Sequence, residues 1–377
     1  MKYRKFGKYD VELSALGFGC MRLPVLNKDP SKIDEEKATN MLRYAIDNGV
    51  NYVDTAYPYH QGNSELFVGR ALKNGYREKV YLATKNPVWL ANKYQDFEKY
   101  LDEQLKKLDT EYIDMYLLHS LDKERWNKIY NLEVLNFLDE AKSKGKIKFA
   151  GFSFHDDFKT FKTIVDSYNW DFCQIQYNYL DTHFQAGIAG LKYANRKGLA
   201  VIIMEPIRGG KLANKLPKEA LDIFSNLDNT KSPAYWALRW VWNHPEVTTV
   251  LSGMSTMEQV IENIKTADDS DQNSLSEKEL KAIEQVRNIY KSKSKIDCTG
   301  CNYCVPCKNG IPIPTIFSIY NEGYIFDNLI EAKERYQTLI KQGIDASICE
   351  ECGDCEAECP QHLPIRSLLK QVKNELA

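Results

Sequence analysis

The chain has 377 residues, 27% of them charged, and a formal net charge of −2 at pH 7. This balance argues against nucleic-acid binding, which would show as a basic stripe and a high isoelectric point. No run approaches the roughly 18 apolar residues of a membrane-spanning helix, and the first residues show no secretory signal. We therefore expect a cytoplasmic protein that binds neither nucleic acid nor membranes.

Eight short apolar or β-branched segments recur along the chain and predict strands. They are residues 14–21, 51–56, 79–85, 112–119, 148–154, 172–178, 200–205 and 248–254. Between them lie segments with apolar residues at helical spacing, among them 36–49, 63–75, 96–108, 126–145 and 232–246. Eight alternations of strand and helix over about 250 residues are typical of an α/β fold of the (β/α)8 TIM-barrel type. A doubly wound sheet is the alternative, but no G-x-G-x-x-G turn follows an early strand.

Four reactive side chains stand at the ends of neighbouring predicted strands. Asp54 and Tyr59 follow the second strand, Lys85 ends the third and His119 ends the fourth. Barrel enzymes place their sites at the C-terminal strand ends, so these groups can share one pocket. Each taken alone has a structural reading, as a cap, a packing residue, a solvated amine or a core histidine. Their joint placement favours catalysis.

The chain resembles the aldo-keto reductases over residues 1–270. The matching pieces are ALGFGCMRLP, VDTAYPYHQGNSELFVGRAL, VYLATK, YIDMYLLHS, GKIKFAGFSFH, QIQYNYL, VIIMEPIRGGKL and SGMSTMEQVIENI. The resemblance implies that Asp54, Tyr59, Lys85 and His119 form a catalytic tetrad. It also implies hydride transfer from a nicotinamide cofactor to an aldehyde or ketone.

The chemistry of such a tetrad follows from the residue types. Hydride attack on a carbonyl carbon leaves negative charge on the oxygen, which then needs a proton; Tyr59 is the expected acid. Because free tyrosine has a pKa near ~10, we expect the Lys85 ammonium to favour the phenolate. Asp54 would orient Lys85, and His119 would polarise the carbonyl.

The resemblance also implies a set of cofactor-binding residues. They are Gly19, Met21, Arg22, Ser153, Gln174, Met204, Pro206, Arg208, Gly210, Lys211, Gly253, Ser255, Gln259 and Asn263. In this set Ser153 and Gln174 match the ligands of the nicotinamide carboxamide, and the loop with Arg208 and Lys211 offers two cations to the diphosphate.

Two positions depart from the family pattern. Phe154 stands where many members have the asparagine that follows this serine, so one carboxamide contact is expected to be missing. The stretch 252–263 matches the adenine and ribose end but has no lysine or arginine for a 2′-phosphate. The family implies NADP(H), and NAD(H) stays open.

The C-terminal part begins with a predicted helix over 275–293, with Ser276 as its N-cap. We expect a barrel over 1–270, a linking helix over 271–295 and a mostly helical domain over 296–377. Within 312–343 two helices separated by Gly323 are predicted, and a last helix covers 366–377.

Eight of the ten cysteines fall in two runs of this last domain. The runs are Cys298, Cys301, Cys304 and Cys307, then Cys349, Cys352, Cys355 and Cys359. Steps of three, with a final cysteine before proline, are typical ligands of 4Fe-4S clusters. Two clusters of ferredoxin type are predicted, with Cys307 joining the second triplet and Cys359 the first. Zinc usually takes separated pairs and disulfides need an oxidising compartment, so both are less favoured.

The first cysteine run departs from the ferredoxin spacing at its last step, which leaves a single cluster as the alternative. Cys20 and Cys173 stand alone in apolar strands, where a buried hydrophobic role is expected. A subset of aldo-keto reductases carries such an iron–sulfur tail. An external ferredoxin or flavoprotein is the expected partner if the clusters pass electrons, and a purely structural role is equally open.

Three functions are compatible with this sequence. The first is a nicotinamide-dependent carbonyl reductase with an iron–sulfur tail, which the tetrad favours. The second is a cofactor-binding sensor, and the third is an electron-transfer protein with little reductase activity. Tyr57, His60, Trp89 and Arg125 are candidates for the substrate pocket.

Overall fold

The computed structural model describes residues 1–214, 216–298, 300, 303–359 and 361–377. Its contacts divide the chain into two compact units. The first comprises Met1–Pro206 and Ala237–Leu275, and the second Ile207–Trp236 and Ser276–Ala377. Among the helices described, none is long and apolar enough to cross a membrane. The predicted boundaries at 270 and 295 stay a prediction.

The first unit contains ten strands. They are β1 (Tyr3–Lys5), β2 (Glu12–Ser14), β3 (Leu16–Gly19), β4 (Tyr52–Asp54), β5 (Tyr81–Asn86), β6 (Ile113–Leu121), β7 (Ile147–Phe154), β8 (Phe172–Gln176), β9 (Ala200–Met204) and β10 (Thr249–Ser252). Strands β3 to β10 form a closed barrel in which every neighbouring pair is parallel. The predicted (β/α)8 barrel is confirmed, because each of the eight predicted segments contains or overlaps one barrel strand.

Up to residue 275, the described part of the chain contains eleven α-helices, of which α8 and α9 belong to the second unit. They are α1 (Glu35–Asp47), α2 (Ser64–Ala71), α3 (Tyr94–Leu108), α4 (Lys123–Asn131), α5 (Val134–Ser143), α6 (Phe158–Asp166), α7 (Gly187–Arg196), α8 (Lys211–Asn214), α9 (Lys218–Leu227), α10 (Pro233–Trp242) and α11 (Met257–Asp268). The single helix expected over 126–145 is wrong. It divides at Glu133, whose φ of 59° is left-handed and interrupts the helical hydrogen bonds.

The hairpin β1–β2 was not predicted, and it covers the N-terminal end of the barrel. Phe6, which follows β1, packs against Phe172 at 5.7 Å and Phe149 at 5.0 Å between ring centroids. It belongs to a buried cluster with Tyr52 and Ala200, each the first residue of its strand. Since one barrel end is filled by apolar side chains, the opposite, C-terminal end is left for polar groups.

From residue 276 onward, the residues that the structure describes form five further α-helices. They are α12 (Glu277–Lys293), α13 (Ile313–Ile325), α14 (Leu329–Gln342), α15 (Asp354–Ala357) and α16 (Ile365–Leu376). The predicted N-cap is confirmed: the Ser276 hydroxyl accepts from the amide of Glu279, whose carboxylate accepts from the Ser276 amide. Helices α13, α14 and α16 share one apolar core.

Gly323 does not separate two helices, so that prediction is wrong. It lies buried inside α13, where a Cβ would come within 2.9 Å of the Ala332 Cβ of α14. The chain turns later, at Asp327, whose φ is 50°. The glycine serves close helix packing, and packing partners distant in sequence are invisible to a local breaker rule.

Candidate active site

A buried ion pair stands at the C-terminal ends of β4 and β5. The Lys85 Nζ lies 2.6 Å from the Asp54 Oδ1 and 2.7 Å from the carbonyl oxygen of Thr55, and both residues are buried. Parallel pairing of the two strands brings their ends to the same edge of the barrel. Nothing in the sequence marks Thr55 as a partner, since any residue supplies a carbonyl.

Tyr59 lies above this pair, at the start of a 3-10 turn over Tyr59–Gly62. Its hydroxyl is 3.3 Å from the Lys85 Nζ, and the same ammonium lies 4.8 Å from the centre of the phenol ring. His60 holds the turn in place: its Nε2 accepts from the Leu23 amide at 3.2 Å, and its Nδ1 lies 2.8 Å from the Pro30 carbonyl oxygen.

The charges of the three groups are set by burial and by each other. Burial by itself lowers the pKa of Lys85, but Asp54 and Tyr59 outweigh it and the pKa of Lys85 is raised. Burial raises the pKa of Asp54, against the effect of Lys85. Burial also raises the pKa of the Tyr59 phenol, because the Lys85 charge only partly opposes it. Lys85 stays an ammonium, and Tyr59 keeps its proton at neutral pH.

Lys85 lowers the pKa of the Tyr59 phenol, as expected, but the desolvation of the phenol outweighs this effect. The sequence shows that a cation is near the phenol, but the desolvation of Tyr59 depends on the whole surrounding fold. A protonated phenol that touches an ammonium is ready to give up a proton to a developing oxyanion.

His119 completes the group on an irregular end of β6. The pairing of β6 with β7 shifts between Leu118 and Leu121, and Ser120 has a φ of 58°. The imidazole lies 6.1 Å from the Tyr59 ring and 5.2 Å from the Trp89 ring, between centroids. Burial, and then the charge of Lys85, lowers the pKa of His119 well below its usual value, so the ring is neutral. The structure therefore brings all four predicted residues together.

Ser153 of β7 and Gln174 of β8 are paired neighbours in the register of these two parallel strands. The Ser153 Oγ accepts from the amide of Ser120 at 2.6 Å, a contact that the sequence did not suggest. The Gln174 Oε1 is buried and has no hydrogen-bond partner among the described residues. A buried acceptor of this kind fits a ligand amide, because leaving it unpaired costs about 1–3 kcal/mol.

The residues expected at the adenine end gather around Arg22. Its carbonyl oxygen accepts from the Ser255 hydroxyl at 2.8 Å, and its guanidinium pairs with Glu205 at 3.2 Å. A Cβ on Gly253 would lie 3.3 Å from the Arg22 side chain. Gln259 accepts from the Ser255 amide at 2.8 Å.

The other residues that were expected to bind the cofactor differ in their burial and in their place in the fold. Asn263 is buried and donates to the Ser252 hydroxyl at 3.0 Å. Met21 is 55% exposed, and a Cβ on Gly19 would lie 3.3 Å from the Ser252 carbonyl oxygen. Met204, half-buried, ends β9, and Pro206 is buried just after it. Arg208, Gly210 and Lys211 belong to the second unit, in a 3-10 turn over Arg208–Gly210 and at the start of α8.

The candidate substrate residues divide into two groups. Tyr57 donates to Glu103 of α3 at 3.2 Å and His60 fixes its own turn, so both are occupied by structural contacts. Trp89 lies against His119, and the Arg125 guanidinium is 5.9 Å from the centre of the Trp89 ring. Trp89 and Arg125 are therefore better placed than Tyr57 and His60 to contact a substrate beside His119.

In the second unit a cavity of about 540 Å³ is lined by cysteines of both runs. The lining cysteines are Cys304, Cys307, Cys349, Cys352 and Cys355. Four of them are the predicted ligands of one cluster, and their soft sulfur donors suit iron. Cys298 and Cys359 pack against or within the helical core, while Cys301 and Pro360 lie outside the described residues.

Contacts between loops hold the two cysteine runs together. The Asn309 side chain, after the first run, donates to the Ile348 carbonyl oxygen before the second at 2.9 Å. Asn321 accepts from the amides of Lys295 and Ile296 and fixes the entry to the first run. Within the described part of the chain, no three His, Cys, Asp or Glu side chains converge on a single-ion site. As predicted, Cys20 and Cys173 are fully buried; Cys20 directly follows β3, and Cys173 lies in β8.

The fold and the site together define a (β/α)8-barrel oxidoreductase. The chain belongs to the aldo/keto reductase family, whose model matches residues 15–288, and a 4Fe-4S dicluster domain matches residues 297–370. The uncharacterized oxidoreductase YqkF of Bacillus subtilis is 28% identical over 78% of this chain and 99% of its own length. The NADH-specific methylglyoxal reductase of Escherichia coli is 27% identical over 70% of this chain and 93% of its own. Among solved structures, the holo form of aldo-keto reductase AKR11C1 from Bacillus halodurans is 28% identical, with a TM-score of 0.63 over 76% of this chain and 96% of that one.

Proposed function

We propose that the barrel reduces an aldehyde or ketone with a nicotinamide cofactor, and that Tyr59 is the general acid. The observation that supports this most directly is the buried Asp54–Lys85 pair in contact with the Tyr59 hydroxyl. When bound, the cofactor supplies a hydride to the carbonyl carbon.

The protein's own residues then handle the oxygen. Tyr59 donates its Oη proton as charge develops there, and the Lys85 ammonium stabilises the phenolate that remains. Asp54 holds Lys85 in its charged form, and neutral His119 donates a hydrogen bond to the same oxygen. Gln174 and Ser153 would hold the carboxamide of the cofactor.

We further propose that the cysteines of the second unit hold two 4Fe-4S clusters. Cys307, Cys349, Cys352 and Cys355 would ligate one, in support of which they line a common cavity. The other set would be Cys298, Cys301, Cys304 and Cys359. Transfer of electrons to a ferredoxin or flavoprotein is compatible with the exposed position of Cys352.

The test of the reductase activity compares two neighbouring tyrosines. Tyr59→Phe is expected to lower carbonyl reduction by roughly 10²- to 10⁴-fold, the range for loss of a general acid, with the dissociation constant for the cofactor unchanged. Tyr57→Phe is the matched control, because its hydroxyl contacts Glu103, and it should keep its activity.

The assay follows NADPH and NADH oxidation under anaerobic conditions with a panel of aldehydes and ketones. Methylglyoxal belongs in the panel because one relative is named for reducing it. Dissociation constants for the two cofactors decide the NADP(H) or NAD(H) preference. Undiminished turnover by Tyr59→Phe would contradict the assignment, and cofactor binding without turnover on any carbonyl would favour a sensor.

A further inference from the structure

One largely buried carboxylate of the second unit, Glu322, lies close to three cations. Glu322 is the only charged residue of α13, and its side chain is 13% exposed. It pairs with Lys211 and Arg335, and its Oε1 lies 3.8 Å from the Arg208 Nη2. A lone acidic residue in an otherwise uncharged helix needs partners when it is largely buried.

Two of these cations come from one short segment. Arg208 opens the 3-10 turn that follows β9, and Lys211 begins α8 three residues later. Phe326, just after α13, lies under both: its ring centre is 5.6 Å from the Arg208 guanidinium and 5.2 Å from the Lys211 ammonium. The segment is thus held by an ion pair and by an aromatic face at the same time.

The same segment is the one expected to bind the diphosphate of the cofactor. Arginine carries five N–H donors and lysine three, so each can contact Glu322 and still bind a phosphate oxygen. The pKa of Glu322 is lowered to about 2, because its three cations outweigh the effect of burial, so the carboxylate is ionised at every working pH.

We propose that Glu322 is a positioning residue for the nicotinamide cofactor: it fixes Arg208 and Lys211 in the orientation that binds the diphosphate. The inference rests on the proposed function. Glu322 belongs to α13, which lies between the two cysteine runs in sequence and contributes to the core against which several cysteines pack.

The direction in which the loss of the Glu322 carboxylate changes cofactor affinity distinguishes positioning from simple charge repulsion. Removing a carboxylate near bound phosphate would tighten binding if repulsion were the main effect. Removing the group that orders two flexible side chains would weaken binding, because their rotamer freedom must then be lost on association. We expect the second result.

The experiment uses the full chain, purified anaerobically with its clusters. In Glu322→Gln the dissociation constant for NADPH, measured by quenching of tryptophan fluorescence, should rise roughly tenfold, which corresponds to ordering of about two side chains. The Michaelis constant for NADPH should rise in parallel with kcat unchanged, as expected for uniform binding. Iron content and the visible spectrum should match the wild type.

Asp327→Asn is the matched control. It removes an exposed carboxylate just beyond α13 that pairs with Lys293 at 2.8 Å, and it should leave NADPH binding unchanged. Glu322→Asp keeps the charge but draws the carboxylate back by one methylene, and it should weaken binding by roughly threefold. It serves as the decisive variant if Glu322→Gln loses its iron.

Each outcome has a defined meaning. Unchanged or tighter NADPH binding in an iron-replete Glu322→Gln protein, or in Glu322→Asp if the glutamine variant loses iron, would overturn the positioning role and leave the reductase proposal intact. A wild-type protein that binds neither NADPH nor NADH would overturn both. Equal weakening in Asp327→Asn would show a general loss of structure and would also overturn the inference.

Discussion

The barrel and the dicluster domain differ in how their functional side chains are held in place. In the barrel, Asp54 and Lys85 stand on paired strands and satisfy each other by direct contact. In the dicluster domain, most of the cysteines stand in segments outside the helices and surround a cavity. The Asp54–Lys85 pair of the first site is hydrogen-bonded without any ligand. In the second site the Asn309–Ile348 hydrogen bond joins the segments of the two cysteine runs, and the proposed cluster would join the thiolates themselves.

The largest effect is expected when one thiolate is removed from the cavity, and this substitution tests the contrast between the two sites. Cys355→Ala should lose one of two clusters, about four iron atoms per chain, and lower the unfolding temperature of the second unit. Cys173→Ala removes a thiol buried in β8 and should keep all its iron. Iron and sulfide analysis with anaerobic calorimetry measures both. If Cys355→Ala kept all its iron, or if Cys173→Ala lost as much iron, the contrast between the two sites would be contradicted.

A smaller effect compares packing in the two regions at two glycines. A Cβ on Gly151 would lie 2.7 Å from the Phe172 ring, which is itself packed on Phe6. Gly151→Ala should therefore destabilise the barrel by about 1–3 kcal/mol through overpacking.

In Gly323→Ala the crowding against Ala332 is offset by about 1 kcal/mol of helix propensity, so its net cost should be smaller. Shifts in calorimetric unfolding temperature are the measurement for both variants. A larger shift for Gly323→Ala would show that the helical core, rather than the barrel, is the more rigid of the two.

The smallest expected effect concerns pH. Because burial raises the pKa of Tyr59, the phenol keeps its proton up to and beyond the ordinary tyrosine value of ~10. Reduction requires that proton, so kcat/KM should be flat from neutral pH to about pH 10 and fall only above it. Profiles of kcat/KM against pH with a neutral substrate test this, and a descending limb between pH 7 and 9 would contradict a protonated, pre-organised acid.

Much of the fold was accessible from the sequence. The eight barrel strands follow from the alternation of apolar runs, and the helix start at Ser276 follows from the preference for serine at the N-cap. These signals are local, since a strand or a cap is specified within a few residues. The division at Glu133 and the buried Gly323 escaped the same rules, because the first is a backbone conformation of a non-glycine residue and the second serves a distant packing partner.

The candidate site likewise has features that the sequence predicts and features that it does not. Its residue types and order along the strands were readable, and so was the spacing of the cysteines. The partners were not: the Thr55 carbonyl beside Lys85, the Ser120 amide beside Ser153 and the cations around Glu322 join residues by contacts that no spacing encodes.

The sequence by itself therefore determined a parallel barrel, a set of strand-end groups and two metal-binding cysteine runs. Only the tertiary structure decided that burial outweighs the charge of Lys85 at the Tyr59 phenol, that Phe6 fills one end of the barrel and that Glu322 gathers Arg208 and Lys211. The reason is physical. Periodicity and ligand spacing are properties of neighbouring residues, whereas desolvation, packing and ion pairing depend on which distant segments come into contact when the chain folds.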